Sequence, residues 1–320
     1  MDLPSLERRF RMAPGTTCRL ADHPTDLAES GLDRAGLAEL KLEAKEVLEA
    51  QVRTLARAQE LLWASDRRSV LVVLQGMDTA GKDGLIRSML TGVNPQGCDV
   101  VSFKQPSDEE LDHTFLWRCM KRTPERGRIA IFNRSHYEDV LVARVRPEVV
   151  EAARLPDGPR DEDFWNARYE DIVAFERHLA RNGTLVLKFF LHLSKAEQRT
   201  RLLARLDDPA KHWKFSSGDL AERSRWDAYR DAYERAITAT STVEAPWFVV
   251  PADRKWVTRT LVAAIVAGSI EALGLEMPAS DPGRAAELAE ARRRLEAELE
   301  SVGEDSEGSS SGGAPSGEGR

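Results

Sequence analysis

At 320 residues, with 42% hydrophobic and 31% charged positions, the chain can bury a sizeable core and has the composition of a folded enzyme. Of its formal charge of −7, the 11 acidic and five basic residues from Glu276 onward carry −6, so the body is close to neutral, with no bulk charge calling for nucleic acid as a partner. The N-terminus lacks a signal-length apolar run, the longest apolar stretch (Leu261 to Leu275) is broken by Glu271, and Cys18, Cys98 and Cys119 form no zinc pattern; the expectation is a cytoplasmic protein without a membrane span.

Residues 1–36 mix Pro, Gly and charge without clear period and read as an irregular arm laid over the domain. Leu37, Leu40, Val47, Leu48, Leu55 and Leu62 then recur at helical spacing, predicting a long amphipathic helix from Leu37 to Trp63. Five short apolar runs follow: Ser69–Leu74, Val100–Phe103, Ile129–Phe132, Leu185–Leu191 and Pro246–Val250. Most are nearly continuous in apolar residues, as strands covered on both faces are, and the gaps between them accommodate helical crossovers. The fold class is therefore α/β, a five-stranded parallel sheet in a three-layer α/β/α arrangement. After Ser280 comes a charged helical stretch, Ala285 to Leu299, and the last ~18 residues are too rich in Gly, Ser and acid to build a core, so disorder is expected there.

The segment Gly76-Met-Asp-Thr-Ala-Gly-Lys82 follows the first buried run and precedes the helical pattern Leu85, Ile86, Met89, Leu90. Strand, GxxxxGK and helix in that order make a P-loop: glycines turn backbone N–H groups toward phosphate oxygens, the helix N-terminus adds its dipole, and Lys82 adds a mobile charge. The phosphate-binding candidates are Gly76, Ala80, Gly81, Lys82, Asp83 and Gly84. The position after the lysine is Asp83 rather than Ser or Thr, and Asp78 lies inside the loop. Carboxylates beside a polyanion are costly without a divalent cation between them, which makes Asp78 a metal ligand or the group orienting the attacking phosphate. Asp83 is equally the acidic residue that a helix's first turn favours.

The third run leads straight into Asn133-Arg-Ser-His-Tyr-Glu-Asp139, at a strand's carboxyl end, where open α/β sheets place ligands. Arg134 can clamp a phosphate bidentately. Glu138 and Asp139 can supply metal-binding charge that Asn133 supplies only weakly. Ser135 and Glu138 also have the spacing of a helix-capping box.

These residues resemble the polyphosphate kinase type 2 family. Gly76–Gly84 is similar to its Walker A variant with the internal Asp, and Phe132–Val142 to its Walker B block, with Asn133 where many members have Asp. Lys188–Gln198, His212–Leu220, Arg225–Glu234 and Ala245–Trp256 match in collinear order, so the likeness covers roughly Leu37 to Leu275. It implies a thymidylate-kinase-like P-loop fold over 37–275, with a helical lid at about 205–235 and the acidic segment 276–320 outside it. It also implies transfer of a terminal phosphoryl between inorganic polyphosphate and AMP or ADP, dependent on Mg²⁺ with Mn²⁺ as an alternative, in a homo-oligomer. Asp78, Lys82 and Arg134 would be catalytic, with Asp78, Glu138 and Asp139 at the metal. An ATP-dependent kinase of a nucleotide or small metabolite, and a non-enzymatic phosphate or nucleotide sensor, are the competing readings of the loop alone.

A chain-like anion needs a row of cations. Lys188 interrupts a buried-looking run, where a charge must meet an anion or a carboxylate. Lys214, Arg223 and Arg225 lie in the lid-like blocks and complete the polyphosphate-binding candidates. Trp226, Tyr229 and Tyr233, at i, i+3 and i+7, mark one helix face that ordinary packing explains.

Overall fold

Apolar, β-branched and aromatic runs form the five strands, and their order in space sets where ligands go. In the computed structural model, which describes residues 3–27, 34–279 and 281–307, these are β1 Ser69–Gln75, β2 Cys98–Ser102, β3 Ile129–Asn133, β4 Thr184–His192 and β5 Trp247–Pro251. All pair parallel in the order β2-β3-β1-β4-β5. Central β1 has β3 on one side and β4 on the other, so its crossovers leave in opposite directions and open a crevice at the carboxyl ends.

Helices α1 Leu3–Phe10 and α2 Arg34–Ser65 precede the sheet, and α3 Lys82–Met89 follows β1. Short α4 Asp108–Leu111 and α5 Trp117–Met120 link β2 to β3; α6 Glu138–Val145, α7 Pro147–Ala152 and α8 Glu162–Arg181 link β3 to β4. Then α9 Lys195–Leu206, α10 Ser217–Ser224 and α11 Trp226–Thr240 lead to β5, and α12 Lys255–Glu271 follows it. Side-chain caps start several of these: Asp161 accepts from the Phe164 N–H ahead of α8, and Ser194 from the Glu197 N–H ahead of α9.

Strand alternation sends side chains to two cores. Leu71, Val73, Phe132, Phe190 and Trp247 face α6, α8 and α11, while Val72, Leu74, Ile131, Phe189 and Phe248 face α2, α3 and α12. All seven residues of β1 are buried, which accounts for its unbroken apolar pattern. Helix α12 is buried on nearly every side, packed on α2 as well as the sheet. Among the described residues no helix is long and apolar enough to cross a membrane.

The arm is more regular than expected. Leu6 and Phe10 of α1 are buried with α12 and β5, Arg11 bridges Phe248 antiparallel, and the Met12 N–H donates to the Trp247 carbonyl at 2.8 Å. Further on, the Asp253 N–H donates to the Thr25 carbonyl at 2.9 Å, and Arg254 Nε lies 2.8 Å from both oxygens of Asp26. The arm thereby belongs to the same compact unit as the sheet, which runs to Glu276. The unit from Met277 contains α13, Pro282–Glu307, stitched by pairs such as Arg292–Glu296 at 2.7 Å. That helix extends into the segment where disorder was expected; the remainder of the expectation, from residue 308, lies outside the described residues.

Two outcomes test this packing. Phe10→Ala should lower stability by about 3–5 kcal/mol, the usual range for a buried aromatic; an unchanged urea midpoint would show that the arm is not part of the fold. At the end of β4, burial foremost and then nearby His23 push the His192 imidazole from 6.5 down to about 4. Its contribution, of order 3 kcal/mol, is complete above pH 6.5 and lost as pH falls through 4. His192→Gln should flatten the acid limb of the stability profile over that window.

Candidate active site

The loop after β1 is shaped by close approach and by left-handed backbone. A Cβ on Gly76 would lie 3.0 Å from the Leu191 carbonyl oxygen and 3.1 Å from the Ala80 Cβ, so only glycine lets the loop leave β1 against β4. Gly81, with φ +105°, turns the chain into α3. Lys82 Nζ donates to the Gly76 carbonyl at 2.7 Å, across the base of the loop. Burial, then the Arg134 charge, lowers the Lys82 pKa, opposed by Asp78, Glu138 and Asp83.

The turn after β3 meets this loop. Arg134 sits in the left-handed region at φ +64°, its N–H donating to the Leu74 carbonyl at 3.1 Å. Its guanidinium lies 3.4 Å from Asp78 and 3.7 Å from Glu138. Glu138, ahead of the burial that opposes it, raises the Arg134 pKa. Asn133 Nδ2 donates to Asp83 at 2.8 Å. Asp78, Lys82, Asp83, Asn133, Arg134 and Glu138 are thus brought together from two strand ends.

Three expectations are corrected. Asp139 turns away from the loop toward Arg118 at 3.6 Å and Arg168 at 4.0 Å. Adjacent helix residues point about 100° apart, so Glu138 pairs with Arg134 while Asp139 pairs with Arg118 and Arg168, although both line the space beside Arg134; burial raises the Asp139 carboxyl to about 6. Lys188 meets a carboxylate rather than a substrate anion: it is fully buried, 2.5 Å from Glu176. Ser135 does not form the capping box. Helix α6 begins at Glu138 without a side-chain cap, and the Ser135 hydroxyl accepts instead from the Tyr137 N–H and from Gln75 Nε2.

A cleft of about 620 Å³ opens over Asp78–Gly84 and Arg134. Around it stand Lys82, Lys104, Arg205, Lys211, Lys255 and Arg259. Burial, then Arg201 and Arg259, lowers the Lys255 pKa, as expected where like charges crowd. A smaller cleft of about 140 Å³ shares Asp78 and Arg134 with the first and is walled by Trp226, Tyr229 and Tyr233, with Arg223 at its rim. These three aromatics pack in the core, as their spacing implied, and present their remaining edges to this cleft. A third space of about 290 Å³, lined by Phe103, Arg146 and Val149, also reaches Arg134 and Glu138.

Arg223 donates to the Lys195 carbonyl and to Gln198 Oε1, both at 2.8 Å. Arg225 lies 3.6 Å from Glu222 and lines none of these clefts. The side chain of Lys214 lies outside what the structure describes.

Sequence reasoning missed the residues that hold the loop. Arg201 NH1 donates to the carbonyls of Thr79 and Ala80, NH2 to those of Ala252 and Asp253, and Nε to Glu197. Gln198 Nε2 donates to the Asp78 carbonyl at 3.0 Å. The signal was their i, i+3 spacing on the helix leaving a strand's carboxyl end; Lys255 and Arg259, at i, i+4 after β5, carry a similar one.

Among the described residues no three His, Cys, Asp or Glu side chains converge to hold a metal ion. Asp78, Asp83 and Glu138 nevertheless offer hard oxygen donors, the type that Mg²⁺ takes one or two at a time beside substrate phosphates. The donor set fits such an ion.

A family model described as Polyphosphate kinase 2 matches residues 39–277. An ADP-polyphosphate phosphotransferase of Rhodopseudomonas palustris is 47% identical over 289 residues, covering 90% of this chain and 98% of that one. An AMP/ADP-polyphosphate phosphotransferase of Meiothermus ruber is 49% identical over 238 residues, 74% of this chain and 85% of that one. The crystal structure of Polyphosphate Kinase 2 from Arthrobacter aurescens superposes with a TM-score of 0.77 at 39% identity, covering 92% of this chain and 99% of that one.

Arg201→Leu would leave several loop carbonyls without their donor. It should destabilise the protein by about 2–4 kcal/mol and weaken tripolyphosphate binding about tenfold or more by disordering the loop that cradles it. Calorimetric titration and urea unfolding check this, and wild-type values in both would remove Arg201 from the account.

Proposed function

The chain belongs to the polyphosphate kinase 2 family, whose members transfer phosphoryl groups between polyphosphate and nucleotides, and from that premise we propose how its own clefts divide the substrates. Inorganic polyphosphate lies along the large cleft. The acceptor, AMP or ADP, reaches Arg134 from the side of the smaller spaces, and the terminal phosphoryl passes between them beside Asp78. The observation that carries this reading is the shared position of Asp78 and Arg134 in two adjoining clefts, the larger lined by Lys82, Lys104, Lys211 and Lys255 and the smaller by no lysine, its arginines offset by Glu138 and Glu222.

The chemistry asks for alignment and charge neutralisation more than covalent work. A phosphate oxygen of AMP or ADP is already a competent nucleophile. Lys82 and Arg134 stabilise the charge that spreads over the moving group. The backbone of Gly81–Gly84 holds a neighbouring phosphate at the start of α3. Asp78, with Glu138 beside it, would hold Mg²⁺ or Mn²⁺, which when bound neutralises phosphate charge. Asp83 is bonded to Asn133 and orients the two strand ends relative to each other.

The segment at about 205–235 is proposed to close over the phosphates, with Arg223 carried toward the loop through its bond to Gln198 and water excluded from the transfer. Acceptance of both AMP and ADP is supported by the Meiothermus relative's name. The reaction belongs in the cytoplasm, where free Cys18, Cys98 and Cys119 stay reduced.

Incubation of AMP or ADP with polyphosphate and Mg²⁺, without any nucleoside triphosphate, should yield ADP and ATP; no product would sink the proposal in favour of an ATP-dependent kinase. Lys82→Ala and Asp78→Asn should each lower kcat by about 10²–10³, the scale of losing a positioned charge. Raising ionic strength should raise KM for long polyphosphate more than for short, because more cations track the longer chain.

A further inference from the structure

Strand β4 carries one charge inside an otherwise apolar run, and one of the three groups that satisfy it, Tyr137, comes from the turn bearing Arg134. Lys188 is fully buried. Its ammonium donates to Glu176 on α8 at 2.5 Å, to the Tyr137 hydroxyl at 2.9 Å, and to the Thr240 carbonyl at the end of α11 at 2.7 Å. An ammonium has three protons, so every one is engaged. The Tyr137 hydroxyl in turn lies 2.9 Å from both Glu176 Oε1 and Thr240 Oγ1, and His136 Nε2 lies 3.2 Å from Glu176 Oε1.

Ser135, His136 and Tyr137 are all buried and held from beneath, Ser135 by Gln75 and the other two by the Lys188–Glu176 pair. The residues on either side of them, Arg134 and Glu138, reach the clefts. Arginine rarely adopts a left-handed backbone by itself; where it does, its surroundings impose it. The buried groups around residues 135–137 are those surroundings.

We propose that Lys188, together with Glu176, is a positioning residue for phosphoryl transfer: through Tyr137 and His136 it fixes the turn so that the Arg134 guanidinium stays between Asp78 and Glu138. This rests on the assignment of Arg134 to the reaction, made above. Stability alone is a weak reason for the pair, because a buried ion pair replaced by neutral groups of similar volume is often no less stable. That property also separates positioning from packing.

The test is the double variant Lys188→Met/Glu176→Gln, which removes both charges at nearly constant volume, alongside Tyr137→Phe, which keeps the pair and deletes one link. The double variant should retain a cooperative melt and lose about tenfold or more in kcat, the scale of a displaced clamp, while KM for nucleotide and polyphosphate stays within about threefold. Tyr137→Phe should show the same pattern, smaller in size. A folded double variant with wild-type kcat overturns the proposal, and so does a lower melting temperature with kcat unchanged. If the double variant does not fold, Tyr137→Phe decides, and wild-type kcat there overturns the proposal. Arg134→Ala is run beside them. Full activity in that variant refutes the role of Arg134 itself, and a wild-type protein inactive with polyphosphate refutes the proposed function, so the three failures are distinguishable.

Discussion

The guanidinium of Arg201 ties together backbone that the topology alone would leave separate. A parallel sheet delivers its loops to one end but does nothing to fix them against each other. Arg201, rooted on α9 after β4, bonds carbonyls of the loop after β1 and carbonyls of the segment after β5. Three strand ends are thereby set by one planar group whose donors have fixed directions. Lysine, a single point of charge on a flexible stem, could not span them. The arginine most deeply committed at this site is therefore a structural one, and the charges left for substrate are those at the cleft walls.

Around that frame, charge is distributed by depth. Carboxylates at the loop are matched individually, Asp78 by Arg134 and Asp83 by Asn133, while the outer walls carry lysines and arginines that crowd one another. Crowded like charges are destabilising until an anion joins them, and a polyanion relieves several at once. Arg134 stands where the two regimes meet, which suits a group that must act on a phosphoryl in transit.

The phosphate loop was legible because residue type and context agreed: a buried run, GxxxxGK, then helical spacing. The strands were legible within one or two residues, least so at β2, which begins at Cys98 rather than Val100. That strand is half-exposed at the sheet edge, so apolar pattern does not mark its start. Lys188 could be recognised as a buried charge but not paired, because Glu176 resembles any carboxylate on an amphipathic helix. Arg201 was hidden for the same reason: a cation on α9 reads as solvated surface until the fold brings four carbonyls to it. The choice between Glu138 and Asp139 needed the direction of α6, which spacing alone does not contain. The arm was unreadable because its partners lie at the far end of the chain.

That last separation bears on how the domain is made. Arg254 and Asp26 are 228 residues apart, and Arg11 and Val243, which it also bonds, are 232 apart. Contacts of such span form late, after the intervening loop entropy has been overcome by nearer ones. On a ribosome the arm emerges before β5 and the start of α12 and must wait for them before it meets these partners. Until then the Leu6 and Phe10 side chains stay uncovered. The edge strand β5 is bridged by Arg11 only once the arm folds back on it, so the sheet edge is closed by residues made long before the strand they cover.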